Sequence, residues 1–269
     1  MGRLRRIDSE IVRRGLAPSR TKAAQLVEDG LVTLDGEVVT KSARQVDPAQ
    51  ALEIKQHAGA EYVSRGAYKL AGALDIMAAR APQVSGRRCL DAGASTGGFT
   101  DVLLRRGAAS VVAVDVGYGQ LDWRLREDSR VQVLERTNVR TLDPEVVAPA
   151  PELVVGDLSF ISLTLVIPPL IAAAAPHADF VLMVKPQFEI GKERLGHGGV
   201  VRSGADRAET VLNVARFAEK CGLKVRACAA SPLPGPAGNV EYFLAMRADA
   251  PDAVDIEDAV ATAIAEGPQ

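Results

Sequence analysis

The stretch Cys89-Leu90-Asp91-Ala92-Gly93-Ala94-Ser95-Thr96-Gly97-Gly98-Phe99-Thr100 decides the fold of this 269-residue chain. It opens as an apolar run that closes on an acid. A glycine-rich turn follows, and a helical pattern begins directly after it. Glycines at a strand-to-helix turn let the backbone come close to a ligand. Working outward from residues 88–91, strand-like runs recur at 110–116, 131–134, 153–157, 179–185, 224–229 and 241–246. Helical stretches separate most of them, among them one through Leu70, Leu74 and Met77. Alternation of this kind predicts an α/β domain over residues 64–269, a doubly wound sheet with a hairpin-like end.

A glycine-rich turn alone is a weak signal, and this one lacks strict Gly-x-Gly-x-x-Gly spacing. Two acids add to it. Asp91, directly before the turn, would repel a pyrophosphate but suits the ammonium of a methionine moiety. Asp115, closing the next run, can accept hydrogen bonds from two ribose hydroxyls. A turn that served only to reverse the chain leaves two acids at successive strand ends unexplained. Together these features resemble the S-adenosylmethionine pocket of class I (Rossmann-like) methyltransferases more than the site of a nucleotide-dependent dehydrogenase. The resemblance assigns the cofactor to Asp91, Gly93, Ser95, Thr96, Gly97, Gly98, Phe99, Asp115 and Asp157.

Four charged residues stand at element ends around the predicted sheet: Lys69, Asp157, Lys185 and Glu241. Taken singly, each reads as a solvated strand-end charge. The apolar runs before Asp157 and Lys185, however, carry both towards a buried rim, where charges need partners. A Lys-Asp-Lys-Glu set in this order resembles the tetrad of the FtsJ-like ribose 2′-O-methyltransferases. The segments Ser64-Arg65-Gly66-Ala67-x-Lys69-Leu70, Asp115-Val116-Gly117-Tyr118-Gly119-Gln120-Leu121, Asp157-Leu158-Ser159-Phe160-Ile161-Ser162, Val184-Lys185-Pro186-Gln187-Phe188-Glu189 and Ser231-Pro232-Leu233-Pro234-Gly235-Pro236-x-Gly238-Asn239-x-Glu241-Tyr242 are similar to the haemolysin A (TlyA-type) ribosomal RNA 2′-O-methyltransferases. That resemblance implies methyl transfer to cytidine 2′-hydroxyls in 16S and 23S ribosomal RNA. In actinobacterial members it implies action on both ribosomal subunits and sensitivity to capreomycin and viomycin. The basic start before Asp8 and a predicted C-terminal helix over residues 255–265 resemble that form. A ribose hydroxyl is a poor nucleophile, so it must be aligned and its proton loss eased. An ammonium beside the oxygen stabilises the developing alkoxide. Lys185 takes that role, Asp157 orients it, and Lys69 with Glu241 completes a charge-balanced ring. A neutral Lys185 would instead be a general base, and the sequence leaves both open.

The N-terminal segment reads as two short helices and a hairpin. Asp8 is placed to cap a helix starting at Ser9, with Ile7 and Val12 as a hydrophobic staple and Gly15 as its stop. Ser19 is placed to cap a second helix that ends at Gly30. Asp35-Gly36 between β-formers is a two-residue hairpin signal, and Leu52-Glu53-Ile54 a further strand. Arg6-Ile7-Asp8 and Ser19-Arg20-x-x-Ala23-x-x-Leu26-Val27-x-x-Gly30-x-Val32-x-Leu34-Asp35-Gly36 resemble the S4 RNA-binding domain. The predicted organisation is therefore a small α+β S4-like domain over 1–57, a linker over 58–63 and the α/β domain. The resemblance, together with the basic residues themselves, points to Arg6, Arg13, Arg14, Arg20, Lys22, Lys41 and Arg65 as RNA contacts. Such groups neutralise phosphates without a base code. Residues 1–57 hold no aromatic side chain for base stacking, which favours recognition of RNA shape.

Composition is that of an ordinary globular protein, 47% hydrophobic and 25% charged. The net charge of −2 hides a basic N-terminus. No signal peptide or spanning helix is expected, and the three cysteines, Cys89, Cys221 and Cys228, include no C-x-x-C pair. These features point to the cytoplasm and to no bound metal. His197, in Gly196-His197-Gly198-Gly199, is read as part of a loop near the substrate. A membrane-lytic protein, suggested by the haemolysin name, and a non-catalytic ribosome-assembly factor are the competing classes. The first lacks an amphipathic basic helix. The second need not keep the four charges. Oligomeric state is not legible.

Overall fold

The computed structural model describes residues 4–17, 20–28, 30–54, 62–191, 193–235 and 237–268. The chain separates into two compact units, Met1–Glu61 and Tyr62–Gln269.

The N-terminal unit runs β1 (Arg5–Arg6), α1 (Ile7–Arg13), α2 (Arg20–Glu28), β2 (Val32–Leu34), β3 (Glu37–Val38), β4 (Gln45–Val46) and β5 (Leu52–Ile54). Asp35 and Gly36 both take left-handed backbones, with φ of 51° and 86°. That pair of conformations is what a tight two-residue hairpin between β2 and β3 requires. β5 pairs with the other side of β2. The short β1–β4 pairing, Arg5 with Val46 and Arg6 with Gln45, has no local sequence signal. Ile7, Ile11, Ala23, Val27, Val32 and Leu34 form the core. One expectation fails here. α1 begins at Ile7, not Ser9, and has no side-chain cap. Asp8 lies inside the first turn, where its carboxylate is engaged by Arg6 at 2.8 Å and Arg20 at 3.1 Å. Ile7 is thus a buried helix residue and not a staple ahead of the helix. The Ser19 cap and residues 57–61 lie outside the described residues.

The larger unit runs α3 (Gly66–Met77), β6 (Arg88–Ala92), α4 (Gly98–Arg105), β7 (Ser110–Val114), α5 (Trp123–Arg126), β8 (Val131–Leu134), β9 (Leu153–Gly156), α6 (Ile167–Ala173), β10 (Asp179–Val184), α7 (Pro186–Glu189), α8 (Gly204–Lys220), β11 (Lys224–Ala230), β12 (Tyr242–Arg247) and α9 (Ile256–Glu266). The sheet has seven strands in the order β11-β12-β10-β9-β6-β7-β8. Only β12 runs against its neighbours, which gives the hairpin-like end. Alternate residues feed two cores, one on each face: Leu90, Val112 and Val154 join one, Cys89, Val111 and Val155 the other. A sheet covered on both faces needs continuously apolar strands, and β10 is buried from end to end. From β6 the order proceeds to β7 on one side and to β9 on the other. Ligands bind at such a reversal, above the C-terminal strand ends. Asp91 to Gly93 and Asp157 stand there.

Candidate active site

The strand registers bring the four charged residues together. Val184 pairs with Tyr242 at the end of the β10–β12 ladder, so Lys185 and Glu241 lie just beyond one closing pair. β9 runs parallel beside β10 and ends at Gly156, which sets Asp157 next to Lys185. Lys185 Nζ lies 2.5 Å from Asp157 Oδ1 and donates to Ser159 Oγ at 2.9 Å. Lys69 Nζ, on α3, donates to Glu241 Oε2 at 2.5 Å, and both groups are buried. The tetrad is thus two ion pairs. Removing either member of the buried Lys69–Glu241 pair strands a charge away from water, whereas Asp157 keeps access to solvent when Lys185 is lost. α3 is held close by Gly72, where a Cβ would fall 2.6 Å from Pro232 Cγ. Lys185 and Glu241 share a cavity of about 930 Å³ with Arg140, Phe160, Gln187, Phe188 and Asn239.

A second cleft adjoins the glycine turn, lined by Ala94, Ser95, Asp115, Gly117, Gln120, Leu121 and Glu135. Asp115 accepts the Ser95 N–H at 2.8 Å and the Gly117 N–H at 2.6 Å, which fixes its carboxylate at the rim. Asp91 is fully buried. Its Oδ2 accepts the Thr100 hydroxyl at 2.7 Å, while its Oδ1 has no hydrogen-bond partner among the described residues. Burial pushes the Asp91 carboxyl up to about 7; the Thr100 bond opposes this, and Asp157 and Asp115 add to it. Gly93 has φ of 85°, and a Cβ there would lie 2.6 Å from the Asp157 carbonyl oxygen. Gly97 and Gly98 are closed in by Leu125 and Ser64. Thr96 accepts the Asp122 N–H through its carbonyl at 3.2 Å. The Phe99 ring is buried in the core, 5.9 Å from Phe243.

An FtsJ-like methyltransferase model matches residues 62–248, and an S4 domain model matches residues 5–51. The chain belongs to the FtsJ-like methyltransferase family. It is 55% identical over 271 residues, the whole of both chains, to the 16S/23S rRNA (cytidine-2′-O)-methyltransferase TlyA of Mycobacterium tuberculosis. It is 35% identical to hemolysin A of Brachyspira hyodysenteriae, over 88% of this chain and 98% of that one. A solved Streptococcus thermophilus protein, provisionally described as a hemolysin, superposes with a TM-score of 0.74 at 37% identity, covering 98% of this chain and 96% of that one. Despite the hemolysin names, no helix among the described residues is long and apolar enough to cross a membrane.

The FtsJ-like domain carries site residues that the charge pattern does not single out. Phe160 is 91% exposed and holds a left-handed backbone at φ 62°. Its ring lies 5.1 Å from Phe188 at the cavity wall. A large apolar side chain in a strained backbone stays so exposed only if something else maintains it. Gln187 Oε1 is buried and has no hydrogen-bond partner among the described residues. Glu189 and Asn239 cross-link the cavity walls. All four lie within the segments quoted for the family resemblance, but no local pattern marks them.

The basic residues divide into two kinds. Arg6, Arg20 and Lys41 are exposed in the S4 unit, the first two leaning on Asp8. Arg13 is exposed and paired with Glu10 at 2.5 Å. Arg14 is a structural residue: its guanidinium reaches Glu10 and the carbonyls of Pro48 and Gln50. The Arg13 hydrogen bond leads in holding the Glu10 carboxyl down, to about 2. In the FtsJ-like unit, Arg65 is exposed and makes a long contact, 3.5 Å, to the Pro234 carbonyl. The side chains of Lys22 and His197 lie outside the described residues.

Proposed function

We propose that the protein uses S-adenosylmethionine to methylate cytidine 2′-hydroxyls in 16S and 23S ribosomal RNA, acting on ribosomal subunits in the cytoplasm. The observation that carries this reading is the Lys185–Asp157 pair on the rim of a nucleotide-sized cavity beside the glycine-turn cleft. The mycobacterial relative supplies the reaction and substrate named here. In an actinobacterial cell, sensitivity to capreomycin and viomycin would depend on this modification.

The cleft residues fit the cofactor. Asp91 Oδ1 is a buried acceptor without a partner among the described residues, suited to an ammonium, and Asp115 offers a fixed carboxylate for ribose hydroxyls. Gly93 lets the turn lie against the Asp157 carbonyl, where a Cβ would come within 2.6 Å. When bound there, S-adenosylmethionine would supply a methyl group activated by its sulfonium. The chain does the rest by alignment and charge. Lys185 Nζ stabilises negative charge on the attacking oxygen and eases loss of its proton. The hydrogen bond to Ser159 Oγ fixes the direction of that Nζ, and Asp157 Oδ1 beside it balances its charge. Glu241 and Lys69 neutralise one another on the far side, so the cavity floor carries no net charge from that pair. Phe160, with Phe188 beneath it, offers a ring face on which an everted base can stack; such contacts are worth about 1–3 kcal/mol per base. Arg6, Arg13, Arg20, Lys22, Lys41 and Arg65 supply phosphate contacts.

The test is transfer of labelled methyl groups from S-adenosylmethionine to unmodified 30S and 50S subunits, followed by alkaline hydrolysis of the RNA. A ribose 2′-O-methyl group blocks cleavage at its own linkage, so the label should emerge in alkali-resistant dinucleotides that begin with cytidine. Label on a base, or no transfer above background, would overturn the assignment.

A further inference from the structure

Three chain segments, residues 157–163, 186–201 and 231–241, supply most of the cavity wall. Two side chains outside the charged tetrad tie them together. Glu189, at the end of α7, accepts the Ser162 hydroxyl through Oε2 at 2.6 Å and the Leu163 N–H through Oε1 at 2.8 Å. Asn239, only 3% exposed, accepts the Val201 N–H through Oδ1 and donates through Nδ2 to the Gly199 carbonyl, each at 2.9 Å. The first joins the segment after Lys185 to the segment after Asp157. The second joins that same segment to the one before Glu241.

Both struts secure backbone that has a reason to move. Glu189 grips the chain two and three residues beyond Phe160, whose left-handed backbone costs of order 1–3 kcal/mol unless its surroundings enforce it. Asn239 grips a run in which Gly198 and Gly199 both have positive φ, at 80° and 73°. Glycine backbone loses the most freedom on ordering. Without the struts, ordering these walls would be charged to RNA binding instead of to folding. Burial favours the neutral form of Glu189, and the two hydrogen bonds it accepts oppose that shift.

We propose that Glu189 and Asn239 are positioning residues that pre-form the nucleotide cavity, so that their loss impairs use of RNA while leaving the cofactor cleft intact. This rests on the reaction proposed above. It requires an asymmetry between conservative replacements. In Glu189→Gln, the amide oxygen still accepts the Leu163 N–H and the amide nitrogen can donate to Ser162 Oγ, whose hydroxyl turns to receive it. In Asn239→Asp, nothing can donate to the Gly199 carbonyl, and a carboxylate oxygen faces it instead.

The experiment measures steady-state methylation of unmodified ribosomal subunits and calorimetric S-adenosylmethionine affinity for the full-length wild type, Glu189→Gln, Glu189→Ala, Asn239→Asp and Asn239→Ala. Expected are a rise of about tenfold in KM for RNA in both alanine variants and in Asn239→Asp, with kcat within about threefold, as the loss of one or two ordered contacts implies. Cofactor affinity stays at the wild-type value, and Glu189→Gln stays near the wild type throughout. Unchanged KM in the alanine variants would overturn the proposal. So would a Glu189→Gln variant as impaired as Glu189→Ala, or cofactor affinity falling in step with KM, as a general loss of fold would produce. Should an alanine variant fail to fold, the contrast between Glu189→Gln and Asn239→Asp decides. Wild-type methylation without strut dependence sinks the struts alone, whereas absence of methylation sinks the reaction and the struts together.

Discussion

At the N-terminal edge of the seven-stranded sheet, Asp179 lies between Arg87 at 2.5 Å and Arg226 at 3.1 Å, and Arg226 continues to Asp252 at 2.9 Å. At the C-terminal edge of the same sheet, Asp91 keeps one buried oxygen without a partner among the described residues, and so does Gln187. Three non-glycine residues there, Ser95, Arg136 and Phe160, hold left-handed backbones. Both edges hold ion pairs, but at the second these buried polar atoms also stand without partners among the described residues. Buried polar groups are almost always paired in folded proteins. A concentration of unmet groups and strained backbone on one edge therefore marks where ligands complete the structure. The contrast teaches that counting ion pairs does not locate function, whereas locating buried polar atoms left without a partner does.

The sharpest break of this comparison is Lys185→Ala. Loss of a donor to the attacking oxygen should lower the single-turnover rate about 10²–10³-fold, roughly 2.7–4 kcal/mol, with thermal unfolding little changed. Asp179→Ala should do the reverse. Its two arginines are partly exposed, which reduces the about 3–5 kcal/mol expected for a broken buried pair to roughly 2–3 kcal/mol of stability. Denaturant titration should detect that loss, while the rate per folded molecule stays at the wild-type value. A catalytic defect in Asp179→Ala, or a stability defect alone in Lys185→Ala, would erase the distinction between the edges.

The third test concerns Asp91 and is read as a slope against pH. Its folded pKa of about 7 lies above the value near 3.9 for an unfolded aspartate. Below pH 4 the carboxyl is protonated in both states and costs nothing. Between about pH 4 and 7 the unfolded chain has released a proton that the folded one keeps, so stability falls by up to about 1.4 kcal/mol per pH unit. The cost is complete above pH 7. Asp91→Asn removes this slope, so the stability difference between variant and wild type, without cofactor, should grow with pH across that window and then level off. Chemical denaturation at several pH values checks it; a constant difference would show that Asp91 is ionised throughout.

Much of this architecture is written in local sequence. The interior strands β7, β9, β10 and β12 stand out as apolar runs, because a strand buried on both faces tolerates no alternation, whereas the edge strands β8 and β11 carry Gln132, Lys224 and Arg226. Asp115, Asp157 and Lys185 were legible because each charge closes such a run. Asp8 misled, because an acid before an apolar pattern looks like a cap; here it lies within the first turn and takes two arginines as well as the Ser9 N–H. Arg14 looked like a phosphate ligand, because charge alone does not reveal that its guanidinium is engaged by carbonyls 34 and 36 residues away. Glu189 and Asn239 were invisible for the same reason: their partners lie 26 to 40 residues distant, and most are backbone groups that any sequence would present. Phe160 reads as an ordinary core residue until the loop shows which way it faces.

Gly72 carries no functional group and touches no charge, yet it sets a dimension of the site. It lies three residues beyond Lys69 on α3, so the two adjoin on the helix surface. With only a hydrogen there, the helix rests against Pro232 at a spacing that a single methyl group would widen. Pro232 and Glu241 belong to one segment of chain, so a wider spacing would pull Glu241 and Lys69 apart from their 2.5 Å contact. The position works as a gauge block. A survey of this protein for tolerance to substitution that weighed only reactive side chains would pass over it, although one added carbon there would be felt by two residues of the tetrad.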